Sequence, residues 1–409
     1  MSGAASLTSV KSHRIAVLLT VAMFAIWGMA HRLYDFLQPE FSAALSLNAY
    51  QTNLAGWILS LGYPLMAVPA AMLTRNFGYK SGVMFGLGGF AVGMFLFYPA
   101  AEQHEYFFLL AASLAIGCGL ATLEIAADPL IVRLGSAETA VRRLNLAQTL
   151  NGIGAVLGLY LGQQIIEGVR RHPAAELAHT LVAPFFVIGA CVLFFAFLVD
   201  NVEFPPLARE RVARDDSTIA DFRKLFSRRM YLLGAVALAV CSITQVVMWG
   251  FTISYARTQA PGLAGTGVLL WAFYAFMFGR VAGTALMYFV DPSKVLALFA
   301  AGGAASAAAA AIAGGTAGVW CILAASFFLS VVFPTIFGSA IRDIGAQTKS
   351  GSAFLMLAAG TGALVLALTK FVVGPGGAQY VMILPALGFA AIAAYAAVVF
   401  RADKRAARR

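Results

Sequence analysis

The stretch ATLEIAADPL places Glu124 and Asp128 four residues apart inside one of the most apolar runs of the chain. At helical spacing the two carboxyls share one face, a turn apart. In a low-dielectric setting two such acids do not both ionise cheaply, so one is held protonated or sits beside a cation. A carboxyl in that position takes up and releases protons at working pH, which is the chemistry of proton transfer. A static ion network is the alternative: Arg280 or Lys370 neutralises the acids and ties distant parts of the chain together. The candidate proton carriers are therefore Asp35, Glu124 and Asp128.

Other polar residues lie in equally apolar surroundings. His31, Arg32 and Asp35 fall within AHRLYDFLQPEF, with Arg32 and Asp35 at i, i+3 and able to pair locally. Pro39 and Glu40 follow closely, so the alternative is a cluster that snorkels to a membrane surface. Arg32, Arg280 and Lys370 balance the three acids in number. A charge at the centre of a bilayer costs about 2.5–3.5 kcal/mol, so these six groups face one another or a polar cavity. In RRLNLAQTLNGIGA, Asn145, Gln148 and Asn151 recur every third residue and form a polar stripe. Amides offer donors and an acceptor together, which suits a hydroxyl-rich ligand; they serve equally as glue between membrane helices. Gln245, Trp249, Trp271 and Tyr274 set aromatics beside polar groups, a surface on which sugar rings stack and which also occurs in ordinary packing and interface belts.

These residues must be carried by membrane helices. Of 409 residues, 61% are hydrophobic and 11% charged, far from the soluble average. Twelve spans of bilayer length are expected, at 15–38, 51–74, 81–100, 106–132, 144–168, 180–200, 230–256, 264–290, 294–314, 318–342, 351–373 and 378–400. The net charge of +10 does not indicate nucleic acid, because the basic residues sit in short loops between spans. With the N-terminus inside, 22 of the 28 lysines and arginines fall on the cytoplasmic side and only Arg170, Arg171 and Arg257 outside. Both termini are therefore expected in the cytoplasm. The expected order is a tail at 1–14, a six-helix bundle at 15–200, a polar linker at 201–229, a second bundle at 230–400 and a tail at 401–409. Such a 6+6 layout is that of a transporter with a midplane site. The loops LTRNFGYKSG and MYFVDPSKVL stand at matching places in the two halves. No cleavable signal peptide is expected, since the first apolar stretch runs past the length of a signal h-region. Cys118, Cys191, Cys241 and Cys321 each lie alone in an apolar run and are expected to be small buried hydrophobes. There is no GxxxxGK[ST] loop, no zinc spacing and no GxSxG elbow, so neither ATP hydrolysis nor another enzymatic activity is expected.

Several motifs carry a resemblance that runs nearly end to end. LEIAADPL at 123–130 is similar to LETAANPF, RLNLAQTLNGIGA at 143–155 to RLNLAQTFNSFGA, and FPTIFGSAIRDIGAQTKSGSAFLM at 333–356 to YPTIFSLGIKNLG with TK and GSSFIVM following. FGRVAGT at 278–284 and AHRLYDFLQPEF at 30–41 add to it. The chain thus resembles the fucose permeases of the major facilitator superfamily, which are sugar–proton symporters. The resemblance implies an all-α, twelve-helix integral membrane protein of a bacterial inner membrane, a monomer with no cofactor beyond the coupling ion, H+. It implies that Asp35 and Glu124 match the family's acids of proton coupling and sugar binding, and that Asn145, Gln148 and Asn151 match the helix lining the cavity. Departures occur at His31-Arg32, where the family often has Asn-Asn, at Asp128, where it has Asn, and at Lys370, where it has Gly; Ala367 replaces a nearby Pro. The expected solute is a sugar or sugar-like compound. If Arg32 or Lys370 reads the ligand, the alternative is an anionic or non-sugar metabolite, such as a uronic acid, an amino-sugar derivative or a siderophore-like compound, imported or exported. If Arg32 pairs with Asp35, and Lys370 with Asp128, the cavity suits a neutral sugar. Arg280 and Arg32 are the other candidate partners of Asp128.

Overall fold

Long apolar runs with few breakers leave helix as the only local structure in which every backbone group is satisfied away from water. The computed structural model describes residues 2–169, 177–202, 204, 223–263, 265–342, 344–373 and 377–406, and among them there is helix but no strand. The helices are α1 Ser2–Ala44, α2 Ala49–Phe77, α3 Tyr79–Phe95, α4 Phe97–Gln103, α5 Tyr106–Arg133, α6 Ala140–Val169 and α7 Leu177–Asp200. They continue as α8 Arg229–Gln259, α9 Gly265–Leu286, α10 Pro292–Ala313, α11 Gly315–Leu329, α12 Val332–Ile341, α13 Thr348–Ala359, α14 Thr361–Val373, α15 Ala378–Val381 and α16 Ile383–Ala406.

Among the described residues ten helical segments are long and apolar enough to cross a membrane. The expected crossings at 144–168 and 351–373 are helical too, but they differ in kind. The first is α6, whose opening is loaded with arginines and amides. The second is interrupted at Gly360, which separates α13 from α14. Two further expected spans are each divided. The one at 81–100 breaks at Leu96 into α3 and α4, and the one at 318–342 breaks at Ser330-Val331 into α11 and α12.

Local chemistry places the ends. Asn48 and Gln51 close a reciprocal capping box at the start of α2. Asp291 precedes Pro292 at the first position of α10, where a missing N–H costs nothing. Gly314 and Gly315, at φ +60° and +56°, turn the chain between α10 and α11 in a conformation that side chains rarely adopt. Proline acts by position: α5 runs unbroken through Pro129, whereas Pro334 stands just after the break between α11 and α12.

The chain forms two compact units, Met1–Gly135 with Leu150–Thr218, and Ser136–Thr149 with Ile219–Arg409. In the first unit, small residues bring backbones together. A Cβ at Gly117 would collide with the Leu59 carbonyl, one at Gly119 with the Phe90 backbone, and one at Gly154 with the Ala25 carbonyl. These are the close approaches by which membrane helices gain contact where water offers no drive. Lys80, in the first turn of α3, donates to the Asp200 carbonyl at 2.6 Å and lies 3.3 Å from its carboxylate, fixing the end of α7. In the second unit the matching Lys294 lies 3.5 Å from Asp291 and 5.5 Å from the centre of the Phe400 ring near the end of α16. Large apolar side chains such as Phe194, Phe197, Phe289 and Ile312 are exposed, as on a surface that meets lipid. Most of the polar stretch at 201–229 and the last three residues of the tail lie outside the described residues.

Candidate functional site: an acid group and a buried hydrogen-bond network

Three helices of the first unit bring the acids together. On α1, the Arg32 guanidinium donates to Asp35 Oδ2 at 3.0 Å, and His31 Nε2 lies 3.7 Å from Asp35 Oδ1. Both charged side chains remain about one-third exposed, at 33% and 36%. On α5, Asp128 is wholly buried, whereas Glu124, one turn earlier, is only partly so. The surprise lies on α2. Tyr63 stands near the Glu124 carboxyl, with Asp35 and Asp128 in electrostatic range of it. The neighbour of Tyr63, Gly62, meets the Gly117 and Cys118 backbone directly, where a Cβ would clash.

The amide stripe on α6 does not act as one surface. Asn145 is fully buried, and its Nδ2 donates to the Val141 carbonyl at 3.0 Å and to Thr335 Oγ1 at 3.1 Å. Gln148 is nearly buried as well. Its carbonyl accepts from Arg280 Nη1 at 3.1 Å. Between them, the Thr149 and Thr284 hydroxyls bond at 3.0 Å. Asn151, one turn on and in the first unit, donates from Nδ2 to the Phe24 carbonyl of α1 at 3.1 Å.

Arg280 has a clear local reason. Pro334 has no N–H to give to the carbonyl four residues back, that of Ser330. Arg280 Nε donates to this carbonyl instead, at 2.9 Å, and the guanidinium lies 4.5 Å from the centre of the Phe276 ring. Replacing Arg280 by Met leaves the buried Ser330 carbonyl without this donor and removes a second bond from the Gln148 carbonyl. An unpaired buried group costs about 1–3 kcal/mol. The variant should therefore melt several degrees lower in detergent, as read by fluorescence-detected unfolding.

The remaining candidates are scattered. Trp249 Nε1 donates to Ser326 Oγ at 3.2 Å, and its ring packs edge-on against Phe273 and Phe276. Gln245 is partly buried one turn earlier on α8. Tyr274 is exposed, as is Trp271, whose ring lies 6.2 Å from that of Trp320. Lys370 stands on α14, but its side chain lies outside the described residues. Arg32 thus holds Asp35, and Arg280 holds carbonyls in the second unit.

The family model of the Major Facilitator Superfamily matches residues 15–367. The chain belongs to the Major Facilitator Superfamily. It is 32% identical to the L-fucose-proton symporter of Escherichia coli (strain K12) over 94% of this chain and 93% of that protein. It is 28% identical to a glucose/galactose transporter of Brucella abortus over 95% of each. The crystal structure of the Major Facilitator Superfamily transporter FucP in the outward conformation superimposes with a TM-score of 0.87 at 31% identity, covering 95% of this chain and 99% of that one. A major facilitator is a transporter and not an enzyme, and this one is a multi-pass membrane protein.

Within this major facilitator fold, several site residues escape a reading of the sequence. Tyr63 is a lone hydroxyl in the apolar run LGYPL and gives no periodic signal. Thr284 stands one turn after Arg280 in FGRVAGT, so a search of that helix face finds it. Thr335 follows the proline of FPTIF, where polarity beside a helix break is the available cue. The expectation for the cysteines needs correction. Cys241 is buried, Cys118 and Cys321 are partly so, and Cys191 is exposed on α7. A small apolar thiol is as much at home facing lipid as facing the core.

Proposed function

We propose that this chain is a secondary active transporter that imports a neutral monosaccharide or a closely similar solute together with protons, by alternating access. The observation that carries the reading is Glu124. It is a partly buried carboxyl on the membrane helices of a chain similar end to end to an L-fucose-proton symporter. In this reading a proton loads on Glu124 or Asp35, solute binds, the two six-helix halves exchange access, and the proton leaves inside. Both termini face the cytoplasm of a bacterial inner membrane, and the coupling ion is H+. The protein works as a monomer without a cofactor.

A neutral solute is favoured over an anionic one by the Arg32–Asp35 bond, because Arg32, one of the two cations that could read an acid group, is already engaged with a carboxylate. A solute such as a uronic acid must break that pair. The test is a thermal-shift screen of the purified protein against L-fucose, D-galactose, D-glucose, uronic acids and amino sugars at two pH values. Stabilisation by a neutral sugar supports the reading. Stabilisation confined to uronic acids replaces it with a carrier of anionic solutes.

A further inference from the structure

Asp35 and Glu124 are balanced in different ways. The turn of α1 that carries Asp35 also carries two groups able to match its charge. Arg32 lies three residues earlier, and its Nη1 donates to Asp35 Oδ2 at 3.0 Å. His31 lies four residues earlier, with Nε2 at 3.7 Å from Oδ1. Each oxygen of the carboxylate thus faces a nitrogen of its own helix, at the spacings that place side chains on one face. Glu124 differs: among the described residues no ion pair includes it.

Both members of the Arg32–Asp35 pair lie in the unbroken α1, and that stretch is fixed on two sides. The Tyr34 and Ser113 hydroxyls bond at 3.0 Å, tying it to α5, and the backbone of Met29 meets Gly158 of α6. From α2, Tyr63 stands within electrostatic range of Asp35, Glu124 and Asp128. On α6, Glu167 accepts from Gln163, and on α7 Asp200 is held by Lys80. Among the described residues, Arg32 and His31 are the basic groups within ion-pair reach of Asp35.

We propose that Arg32 stands in for a coupling proton at Asp35, so that Glu124, and not Asp35, carries the proton. An unbalanced charge in a low-dielectric setting is costly, and a carboxylate escapes the cost by taking a proton or by keeping a cation at its side. Asp35 keeps the cation. Its partner is three residues away on the same helix, so a rigid-body movement of that helix leaves the pair intact. Glu124 takes the proton, which bonds to a carboxyl oxygen on the outer side and leaves that oxygen inside, with no bond made or broken at Asp35. Arg32 is a positioning residue, and it limits how many protons accompany each solute. The inference rests on the proton-symport reading and names the acid that serves it.

The test measures accumulation of L-fucose and D-galactose, and the proton uptake that accompanies it, in proteoliposomes holding a pH-sensitive dye. Arg32→Gln leaves Asp35 without this cation, so a proton must take its place, and the ratio of protons to sugar should rise by up to about twofold. Arg32→Lys keeps the charge and should keep the ratio. Asp35→Asn alone strands Arg32, and accumulation should fall. Removing both charges, in Arg32→Gln with Asp35→Asn, should restore accumulation several-fold over Asp35→Asn and above Glu124→Gln. The double variant strands neither charge of the pair, so its comparison with Glu124→Gln stands even where a single variant fails to fold. A double variant that accumulates no more sugar than Glu124→Gln overturns the proposal and makes Asp35 a proton carrier in its own right. An Arg32→Gln protein with an unchanged proton-to-sugar ratio overturns it as well. An unsubstituted protein that takes up neither sugar together with protons overturns the symport reading itself, and the role of Arg32 falls with it.

Discussion

Glu124→Gln abolishes accumulation of solute against its gradient in proteoliposomes energised by an inward pH gradient, while exchange of labelled for unlabelled solute persists. Gln keeps the size and hydrogen-bonding reach of the carboxyl. What it loses is the ability to carry a proton. Exchange needs only the loaded carrier to reorient, whereas uphill movement needs protonation to be tied to reorientation. A carrier whose two states no longer differ in proton affinity cannot draw on the gradient, since a ligand shifts an equilibrium only by its differential affinity. Asp35→Asn should act in the same direction with an added change, because it also releases the Arg32 guanidinium and His31 from their shared carboxylate. The measurement is the ratio of internal to external solute at steady state. Proton-driven accumulation in both variants at the level of the unsubstituted protein would remove the acids from the coupling mechanism.

Gly154→Val is expected to cost most of the folded protein. A Cβ at Gly154 collides with the Ala25 carbonyl oxygen, one at Gly28 with that of Asn151, and one at Gly158 with that of Met29. Three such contacts in succession set α1 and α6 backbone against backbone. Overpacking a well-filled site costs about 1–3 kcal/mol where side chains can give way, and more where the obstacle is backbone. The two helices must then separate. The Asn151 bond to the Phe24 carbonyl is stretched, and Asp35, two turns along α1 from Gly28, loses its setting against α2 and α5. Gly154→Ala should show a smaller effect of the same sign. The readout is the monodisperse fraction and melting temperature after extraction in detergent. A Gly154→Val protein that melts with the unsubstituted chain would show that the contact is not tight.

How far the site could be read in advance depended on the kind of residue. Charges in an apolar run announce themselves, because each must be compensated. Asp35, Glu124, Asp128, Arg32 and Arg280 were all legible for that reason, and the Arg32–Asp35 pair followed from their spacing of three. The amides on α6 were legible as a stripe but not as a function. Asn145 and Asn151 lie on the same helix, yet one bonds Thr335 in the second unit and the other bonds the α1 backbone in the first. Periodicity fixes which face a residue occupies; it does not say what that face meets. Tyr63 was invisible, since a tyrosine in a membrane helix has no charge to explain and the acid it stands near lies 61 positions away in sequence, counting from Tyr63 to Glu124.

Sequence alone determined that the chain is a bundle of membrane helices, where most of them run and which residues are too polar to face lipid. Each of these follows from the transfer energy of side chains and from the demand that every backbone group be bonded within its own helix. Tertiary structure decided the rest. It set which glycines touch backbone, gave Arg280 to the carbonyl that Pro334 leaves open, and brought a phenol from α2 near Glu124. Those choices depend on the axial offset and rotation of one helix against another. They are set by the packing of small residues, to which hydropathy is blind.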